Sequence, residues 1–371
     1  MLKILHLDTG RDLRGGQWQL LMLARGLKAR GHEQLIVCPR ESALHNLAHD
    51  EGFETLGLTL HGVGSARALL RLRRLIRARH LHIIHAHDAR SQTVSWLASS
   101  MTPTLRVASR RVVFVPRGGL IHRLKYTHTC HGVIAVSAFV REQLLRSGIP
   151  STKIAVIPDG IEFPARLASP AERLQARQSF HMDEGDFVIG HLGAFTPEKG
   201  QETALQAFYV VAQHVAGARF LIAGDGPLRS VLMERYRDPR GLTRFVGRLD
   251  DLRPFMSCLD LFLMPSLSEG LGSSALIAMA HGVPVIASRT GGLPEIVTEG
   301  ETGWLAEPGS AAALAGKIEL AAANPVRLIE MGERAREKAK GFTNDIMARR
   351  TEEFYGRIAA GEKMPAPALH T

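Results

Sequence analysis

The sequence has few cysteines and contains no long apolar run. Its 371 residues include three cysteines, Cys38, Cys130 and Cys258, which lie far apart and form no C-x-x-C pair. This spacing argues against a disulfide scaffold or a thiolate zinc site and favours a reducing, cytoplasmic setting. No segment reaches the roughly 18 consecutive apolar residues of a membrane-spanning helix. The N-terminal MLKILHLDTG turns polar at Asp8, so we interpret it as a buried strand and not as a secretory signal.

Charge is distributed unevenly along the chain, whose formal net charge is +10. Residues 1–165 contain 23 lysines and arginines against 11 aspartates and glutamates, a balance of +12, whereas the remainder carries 23 against 25. This asymmetry indicates an anionic partner for the first half, such as nucleic acid, a membrane surface or a phosphorylated substrate. Because aromatic residues make up only 6% of the chain and no DNA- or RNA-reading motif is present, nucleic acid is the least favoured.

The pattern of apolar runs predicts an α/β protein with more than one domain. The chain is longer than the roughly 150 residues of an average domain. Short β-branched runs alternate with helical patterns, which is typical of parallel sheets wrapped by helices. The predicted strands are 2–7, 34–38, 82–87, 105–108, 132–136 and 154–157 in the first half, and 187–192, 219–223, 244–246, 261–264 and 284–287 in the second.

The boundary between two doubly wound domains is predicted within the segment IPDGIEFPARLASP, residues 157–170. This segment contains three prolines and a shift in composition, and the next strand begins only near Phe187. We therefore assign residues 1–163 to an N-terminal domain and residues 164–343 to a C-terminal domain. Residues 359–371 are predicted to form a flexible tail.

The richest motif is SEGLGSSALIAMAHGVPVIASRTGGLPEIV, residues 268–297. It begins at the end of a strand with a glycine-containing loop that opens an apolar helix. The backbone amides of Gly270–Ser273 would form a phosphate cradle, because such amides and the helix dipole both attract anions. Glu269 is placed to accept hydrogen bonds from sugar hydroxyls. The alternative is an ordinary strand–helix turn with a solvated glutamate. The loop Gly291-Gly292 after the next strand would complete a crevice at the sheet edge.

Two further loops follow predicted first strands. Lys199, in GAFTPEKGQ, could neutralise a diphosphate, although it could equally be a surface lysine in a turn. Gly15 and Gly16 form the first strand–helix loop of the chain, but a G-x-G-x-x-G dinucleotide fingerprint is absent, which disfavours a dehydrogenase.

Two other patterns allow a structural and a functional interpretation. Histidines 82, 85 and 87 alternate along LHIIHAHD and are predicted on one strand face; without companion ligands, we predict no metal site. The segment RALLRLRRLIRARH, residues 67–80, is a basic amphipathic helix. It is either a crossover helix with a solvated basic face or a peripheral contact with an anionic membrane.

Taken together, these strings resemble the retaining family-4 glycosyltransferases of the GT-B fold. The resemblance implies two Rossmann-like domains that face each other across a cleft, the second binding a nucleotide-sugar donor and the first presenting the acceptor. It also implies that a helix over residues 344–358 returns to the first domain. The matching strings are the Gly15-Gly16 loop, VIAVS (133–137), VIPDGIE (156–162), the Lys199-Gly200 turn, LIAGDGPLR (221–229), FVGRLDDL (245–252) and residues 268–297.

The resemblance also implies roles for individual residues. Lys199 would contact the donor diphosphate and Glu269 the hydroxyls of the transferred sugar. Residues Gly270, Leu271, Gly272, Ser273 and Ser274 would hold phosphate and sugar. Gly16, beside Gly15, would approach the donor from the first domain, and Gly247 and Arg248 would line the base pocket. No tightly bound cofactor and no metal ion are expected.

Three positions depart from the family pattern. Ile277 stands where the family has a second glutamate that binds the ribose, and Ala194 stands where it has a basic residue that contacts the diphosphate. Arg111, after VASR, replaces a histidine that lies near the reacting sugar in many relatives. An arginine could stabilise departing phosphate charge, but it could not act as a neutral base.

The sequence therefore predicts an enzyme that transfers a hexose from a nucleoside diphosphate sugar to a glycolipid or polysaccharide acceptor with retention, in bacterial lipopolysaccharide or other cell-envelope polysaccharide synthesis. It would work in the cytoplasm, with peripheral contact at the inner membrane face. Ile277 and Ala194 favour the alternative of a catalytically impaired relative that serves as a binding or scaffold subunit. A sugar-nucleotide epimerase is disfavoured, because the expected acid–base residues are not identifiable.

Overall fold

The computed structural model describes residues 1–58, 64–112 and 126–362 and divides the chain into two α/β units. One unit contains Met1–Gly160 and the C-terminal segment from Asn344, and the other contains Ile161–Thr343. The chain leaves the first unit after Gly160, whereas the sequence analysis places this passage after residue 163. The two ends of the second unit are neighbours: Ile161 N donates to Phe342 O over 2.9 Å, and Ile161 pairs with Thr343 in a parallel bridge.

The strands form two parallel sheets. The first unit holds β1 (Lys3–Leu7), β2 (Glu33–Cys38), β3 (Glu54–Gly57), β4 (Ile83–Ala86), β5 (Leu105–Arg110), β6 (Gly132–Ala135) and β7 (Ile154–Val156). The second unit holds β8 (Phe187–Leu192), β9 (Ala218–Ala223), β10 (Thr243–Gly247), β11 (Leu261–Met264), β12 (Val285–Ser288) and β13 (Gly303–Ala306). Their spatial orders are β3-β2-β1-β4-β5-β6-β7 and β10-β9-β8-β11-β12-β13.

Helices connect these strands. The helices whose bounds lie within the described residues are α1 (Gly15–Ala29), α2 (Ala43–Asp50), α3 (Gly64–Arg79), α4 (Ala89–Ser99), α5 (Ala138–Arg146), α6 (Pro170–Ser179), α7 (Gln201–Val211), α8 (Arg229–Arg235), α9 (Arg253–Cys258), α10 (Ser273–Ala280), α11 (Leu293–Ile296), α12 (Ala311–Ala322), α13 (Pro325–Ala339) and α14 (Asn344–Ala359). None of them is long and apolar enough to cross a membrane.

The central strands are buried because helices cover both sheet faces, which explains their nearly continuous apolar sequences. Register places Leu5 of β1 beside Leu35 of β2 and Ile84 of β4, and all three side chains are buried. Two strands are absent from the sequence prediction, β3 and β13. Both lie at a sheet edge.

Helix α14 packs against the first unit, to which the C-terminal segment belongs. Glu352 accepts hydrogen bonds from Arg30 Nε (2.6 Å) and contacts His32 Nε2 (2.9 Å). A glycine allows α1 to approach closely, because a Cβ at Gly26 would lie 2.5 Å from Ala348 Cβ. Most of the predicted tail, residues 363–371, lies outside the described residues.

Candidate active site

Each sheet has one place where the strand order reverses, and open α/β sheets bind ligands outside the carboxyl ends of the strands at such a place. In the second unit it lies between β8 and β11. Lys199 belongs to a 3-10 turn (Pro197–Lys199) after β8, and Glu269 follows β11. The structure therefore brings together two side chains that are 70 residues apart in the sequence.

Lys199 and Glu269 form an ion pair at this edge. Lys199 Nζ donates to Glu269 Oε2 over 2.6 Å, and Ser266 Oγ donates to the same oxygen over 3.3 Å. The two charged side chains keep 23% and 12% of their surface exposed. They are thus held in a fixed arrangement while remaining open to a ligand, and together they offer a cationic donor and a carboxylate acceptor.

The turn that carries Lys199 is anchored to the end of β11. Gly200 has a φ of 68°, and a Cβ there would lie 2.1 Å from Pro265 O, so only glycine fits. Leu267 N also donates to Glu198 O over 2.8 Å. These backbone contacts hold the Lys199 loop against the Glu269 loop.

The double-glycine loop after β12 fixes the backbone of Glu269. Gly292 N donates to Glu269 O over 3.2 Å. A Cβ at Gly291, whose φ is 58°, would lie 1.8 Å from Glu269 O. Any side chain at Gly291 would therefore displace the glutamate.

Helix α10 begins directly after this loop. Its N-cap, Gly272, has a φ of 104° and provides no side chain to cap the helix. A Cβ at Gly272 would lie 3.7 Å from Glu269 Cγ, which places the helix start next to the glutamate. Gly270 and Leu271 are buried, whereas Ser273 and Ser274 are partly accessible. The first amides of a helix have no intrahelical acceptor, so this end attracts an anion.

Buried His191 is linked through Gln201 to the segment that leads from β8 to Lys199. His191 Nδ1 donates to Leu263 O over 3.0 Å, and Gln201 Nε2 donates to His191 Nε2 (3.2 Å) and to Ala194 O (2.7 Å). Burial lowers the pKa of His191 to about 4, and the positive charge of Lys199 contributes in the same direction. The imidazole is therefore neutral at neutral pH and leaves Lys199 as the cation of this edge.

The predicted base-pocket residues lie at the end of β10, the edge strand of the second sheet. Gly247 has a φ of 74° and its carbonyl accepts a 2.7 Å hydrogen bond from Gly224 N; Arg248 is exposed. Arg229 lies beside them, since its Nη2 would be 3.8 Å from a Cβ at Gly247. Within the part of the chain that the structure describes, the buried Arg229 Nε has no hydrogen-bond partner. The sequence signal that could have identified Arg229 was its position at the end of the string LIAGDGPLR.

In the first unit, Gly15 and Gly16 form the first residues of α1 after the loop that follows β1. A Cβ at either position would meet no atom of residues 1–58, 64–112 or 126–362 within 4 Å, so packing against these residues does not require glycine there. Arg111 follows β5. Its Nε donates to Asp159 Oδ1 over 2.8 Å and its Nη1 lies 3.1 Å from His87 Nδ1.

The prediction that histidines 82, 85 and 87 share a face is wrong. Side chains alternate with a period of two, so an even-numbered residue points away from two odd-numbered ones. His82 is exposed and its Nδ1 accepts from Lys3 N over 2.9 Å. His85 and His87 instead form a buried cluster with His6 of β1.

The ring nitrogens of this cluster are hydrogen-bonded. His85 contacts the Tyr355 hydroxyl (2.6 Å) and Ser109 Oγ (2.7 Å), while His6 Nδ1 contacts His87 Nε2 (3.1 Å). Burial lowers the pKa of all three imidazoles, that of His6 to about 4. A metal ion would have to break these hydrogen bonds beside the Arg111 guanidinium, and the prediction of no metal site stands as a prediction.

Two family profiles match the chain. The profile of Glycosyltransferase Family 4 matches residues 13–163, and that of Glycosyl transferases group 1 matches residues 186–324. The chain belongs to the family-4, group 1 glycosyltransferases. This result confirms the family resemblance found in the sequence, and members of this family are retaining enzymes.

Among family relatives, a 2-deoxystreptamine glucosyltransferase of Streptomyces kanamyceticus is 38% identical over 188 residues, 49% of this chain and 48% of the relative. The chain thus spans about half the length of that relative. A GDP-mannose-dependent alpha-(1-6)-phosphatidylinositol monomannoside mannosyltransferase of Mycobacterium tuberculosis is 27% identical over 330 residues, 85% of this chain and 79% of the relative.

Solved structures confirm the predicted GT-B fold of two parallel α/β domains. Anabaena HepE in complex with UDP-glucose superimposes with a TM-score of 0.85 at 22% identity, covering 96% of this chain and all of HepE. Sucrose-phosphate synthase from Thermosynechococcus elongatus gives a TM-score of 0.79 at 21% identity, covering 98% of this chain and all of the synthase.

Ile277 and Ala194, the two positions predicted to depart from the family pattern in this unit, lie near the Lys199 and Glu269 loops. Ile277 is the next accessible residue of α10 after Ser273 and Ser274, and the helix is otherwise buried around it. Ala194 lies between β8 and the Lys199 turn, where its carbonyl accepts from Gln201. Sequence reasoning missed the supporting groups His191, Gln201 and Arg229, because the sequence does not show which loops meet.

Proposed function

We propose that this glycosyltransferase moves a hexose from a nucleoside diphosphate sugar to a hydroxyl of a glycolipid or growing polysaccharide, with retention at the anomeric carbon. The observation that carries the proposal is the Lys199–Glu269 pair at the switch point of the second sheet, next to the uncapped start of α10. A diphosphate needs positive charge and amide donors, and a sugar needs a fixed hydrogen-bond acceptor; this edge offers all three.

Each residue then has a distinct task. The Lys199 ammonium and the amides from Gly270 to Ser273 neutralise the negative charge that grows on the leaving diphosphate, which is a major source of rate acceleration in such sites. Glu269 accepts hydrogen bonds from the sugar hydroxyls and orients the anomeric carbon. The leaving diphosphate takes the proton of the acceptor hydroxyl, so the reaction needs no separate base. Arg111 adds positive charge, and Gly247 and Arg248 contact the base.

The donor and acceptor classes follow from relatives and from charge. One relative is named for GDP-mannose and a phosphatidylinositol mannoside, and HepE was solved with UDP-glucose. A uridine or guanosine diphosphate hexose is therefore the proposed donor. The excess of 12 positive charges in residues 1–165 supports an anionic acceptor, such as a lipopolysaccharide core or a lipid-linked precursor.

Helix α3 supports a peripheral membrane contact for the same unit. It buries Ala68, Leu72 and Ile76 against the core and keeps Leu70 56% exposed. The arginines that lie exposed on its other faces are Arg67, Arg71, Arg74, Arg77 and Arg79. Such a face suits anionic headgroups, to which each basic residue contributes about 1 kcal/mol.

The test is incubation of the full chain with a panel of UDP- and GDP-hexoses and anionic glycolipid acceptors. Release of nucleoside diphosphate and of a glycosylated product with retained configuration is expected. Glu269→Ala should abolish transfer and lower the free energy of unfolding by only about 1 kcal/mol, because the ion pair that it removes is partly exposed. The matched control, Glu307→Ala, removes an exposed carboxylate of the same unit elsewhere. Full turnover by Glu269→Ala would contradict the assigned role.

A second candidate is a binding or scaffold subunit with impaired catalysis. It is favoured by Ile277, because an apolar side chain on the accessible stripe of α10 cannot accept a hydrogen bond from a ribose hydroxyl. Calorimetric titration with uridine and guanosine diphosphate sugars separates the two candidates: the absence of binding favours the scaffold. If the ribose lies at this position, Ile277→Glu should tighten binding by about tenfold or more.

A further inference from the structure

Arg111 lies at the end of a continuous row of hydrogen-bonded side chains in the first unit. The row runs from Gln34 through His6 and His87 to the guanidinium, and Asp159 contacts the guanidinium from a second side. Each link spans 2.8–3.1 Å. All five residues come from different strands or strand-end loops, so the row depends on the strand order of the sheet.

The proton positions along this row follow from the hydrogen bonds of Gln34, which lies at the end opposite Arg111. Gln34 Nε2 donates to Ala24 O over 2.9 Å, which fixes Gln34 Oε1 as the acceptor facing His6. His6 must then carry its proton on Nε2, and its Nδ1 accepts. His87 must donate from Nε2 to His6, which leaves its Nδ1 as an acceptor. An arginine can only donate, so the Arg111 N–H completes the row without conflict.

The two contacts of Arg111 restrain its orientation. Asp159 holds Nε and His87 holds Nη1, and the Arg111 and Asp159 side chains are only 12% and 11% exposed. Among the described residues, Arg111 Nη2 makes no hydrogen bond. Two of the three guanidinium nitrogens, Nε and Nη1, are thus held by Asp159 and His87.

We propose that His87 and Asp159 are positioning residues that hold the Arg111 guanidinium in one orientation, with His87 kept in its Nε2–H tautomer by His6. The neutral state of the imidazoles is part of the arrangement, because a protonated His87 would place an Nδ1–H donor against the N–H donor of Arg111 Nη1. This proposal rests on the proposed function only where it assigns Arg111 to the reacting phosphate.

The first experiment tests the tautomers without any substrate. The full chain is labelled with ¹⁵N-histidine, and long-range proton–nitrogen spectra are recorded at pH 7. His6 and His87 should be neutral and protonated on Nε2. Arg111→Met should move the His87 Nδ1 signal toward that of an unbonded ring nitrogen and leave His191, in the other unit, unchanged. A charged His87, or one protonated on Nδ1, would overturn the proposal.

The second experiment uses two substitutions that each keep half of the histidine. The side-chain oxygen of His87→Asn can replace Nδ1 as acceptor for Arg111, whereas the amide of His87→Gln can replace the Nε2 donor toward His6. We expect His87→Asn to retain most of the wild-type kcat. His87→Gln should lose about 10- to 100-fold in kcat, as Arg111→Met does, with the donor KM changed less than about twofold. A kcat for His87→Gln that equals or exceeds that of His87→Asn would overturn the positioning role.

The two experiments also separate this proposal from the function itself. If the tautomers are as expected and Arg111→Met retains full turnover, the positioning contacts stand and the role of Arg111 at the phosphate is wrong. Asp159→Asn provides an independent check, since it keeps an acceptor oxygen but removes the charge. It should lower kcat in the same way as His87→Gln, and unchanged kcat would contradict the role of Asp159.

Discussion

Replacing Glu269 by glutamine should increase the affinity of the second unit for inorganic pyrophosphate while abolishing hexose transfer. Lys199 Nζ donates to Glu269 Oε2 over 2.6 Å. An incoming diphosphate must therefore compete with the carboxylate for the ammonium and also approach a negative charge. Glutamine keeps the size of the side chain and removes both obstacles.

The size of the effect follows from the exposure of the pair. A hydrogen bond to a charged group contributes about 1.5–3 kcal/mol when shielded. Lys199 and Glu269 are 23% and 12% exposed, so solvent screening reduces their pairing to about 1 kcal/mol. Glu269→Gln should accordingly bind pyrophosphate about fivefold tighter and lose about 1 kcal/mol of unfolding free energy. Lys199→Met should bind pyrophosphate about tenfold more weakly or worse.

The assay is calorimetric titration of inorganic pyrophosphate, which avoids any assumption about the base, combined with urea unfolding. Glu307→Gln removes an exposed carboxylate elsewhere in the unit and serves as the control. Tighter pyrophosphate binding together with lost transfer is the expected signature. Equal affinity in wild type, Glu269→Gln and Lys199→Met would refute the assignment of the diphosphate to this edge.

Three further predictions concern other parts of the chain. Arg71→Ser combined with Arg74→Ser should reduce sedimentation with vesicles rich in anionic phospholipid by about tenfold or more, since each arginine contributes about 1 kcal/mol, and leave binding to neutral vesicles unchanged. Gly200→Ala should lower the free energy of unfolding by several kcal/mol, because its Cβ would lie 2.1 Å from a carbonyl oxygen. Gly316→Ala, inside α12, should instead raise it by about 0.5–1 kcal/mol. Urea titrations measure the unfolding free energy of both variants. Lowering the pH from 7 to 5 should cost about 2 kcal/mol through His191 alone, because its folded pKa of about 4 lies below the unfolded value of 6.5 and the unfolded chain binds the proton. His191→Gln should therefore flatten the dependence of unfolding free energy on pH between 7 and 5.

The second unit could be anticipated from the sequence to a large extent. Lys199 and Glu269 each follow an apolar run that is typical of a buried strand, and parallel strands bring their carboxyl ends to one edge. Their position at this edge needed only the strand assignments, whereas their contact also needed β8 and β11 to be neighbours. The edge strands β3 and β13 were missed, because ETLG has little apolar sequence and GWLA contains no β-branched residue.

The arrangement around Arg111 could not be anticipated in the same way. Asp159 lies 48 residues from Arg111, and His6 lies 81 residues from His87. Their contacts depend on β1, β4, β5 and β7 being placed in a specific spatial order. Local periodicity contains no information about that order, and the grouping of His82 with His85 and His87 failed on strand parity.

The neighbouring ends of the second unit have an evolutionary consequence. Because Ile161 and Thr343 pair directly, the polypeptide enters and leaves this body at a single point, as in an inserted domain. Exchange of the segment 161–343 between homologous genes would need only two nearby splice junctions. Recombination could thus replace the whole second unit, with its Lys199–Glu269 edge, as one segment while the remaining residues, including the terminal helix, stay in place.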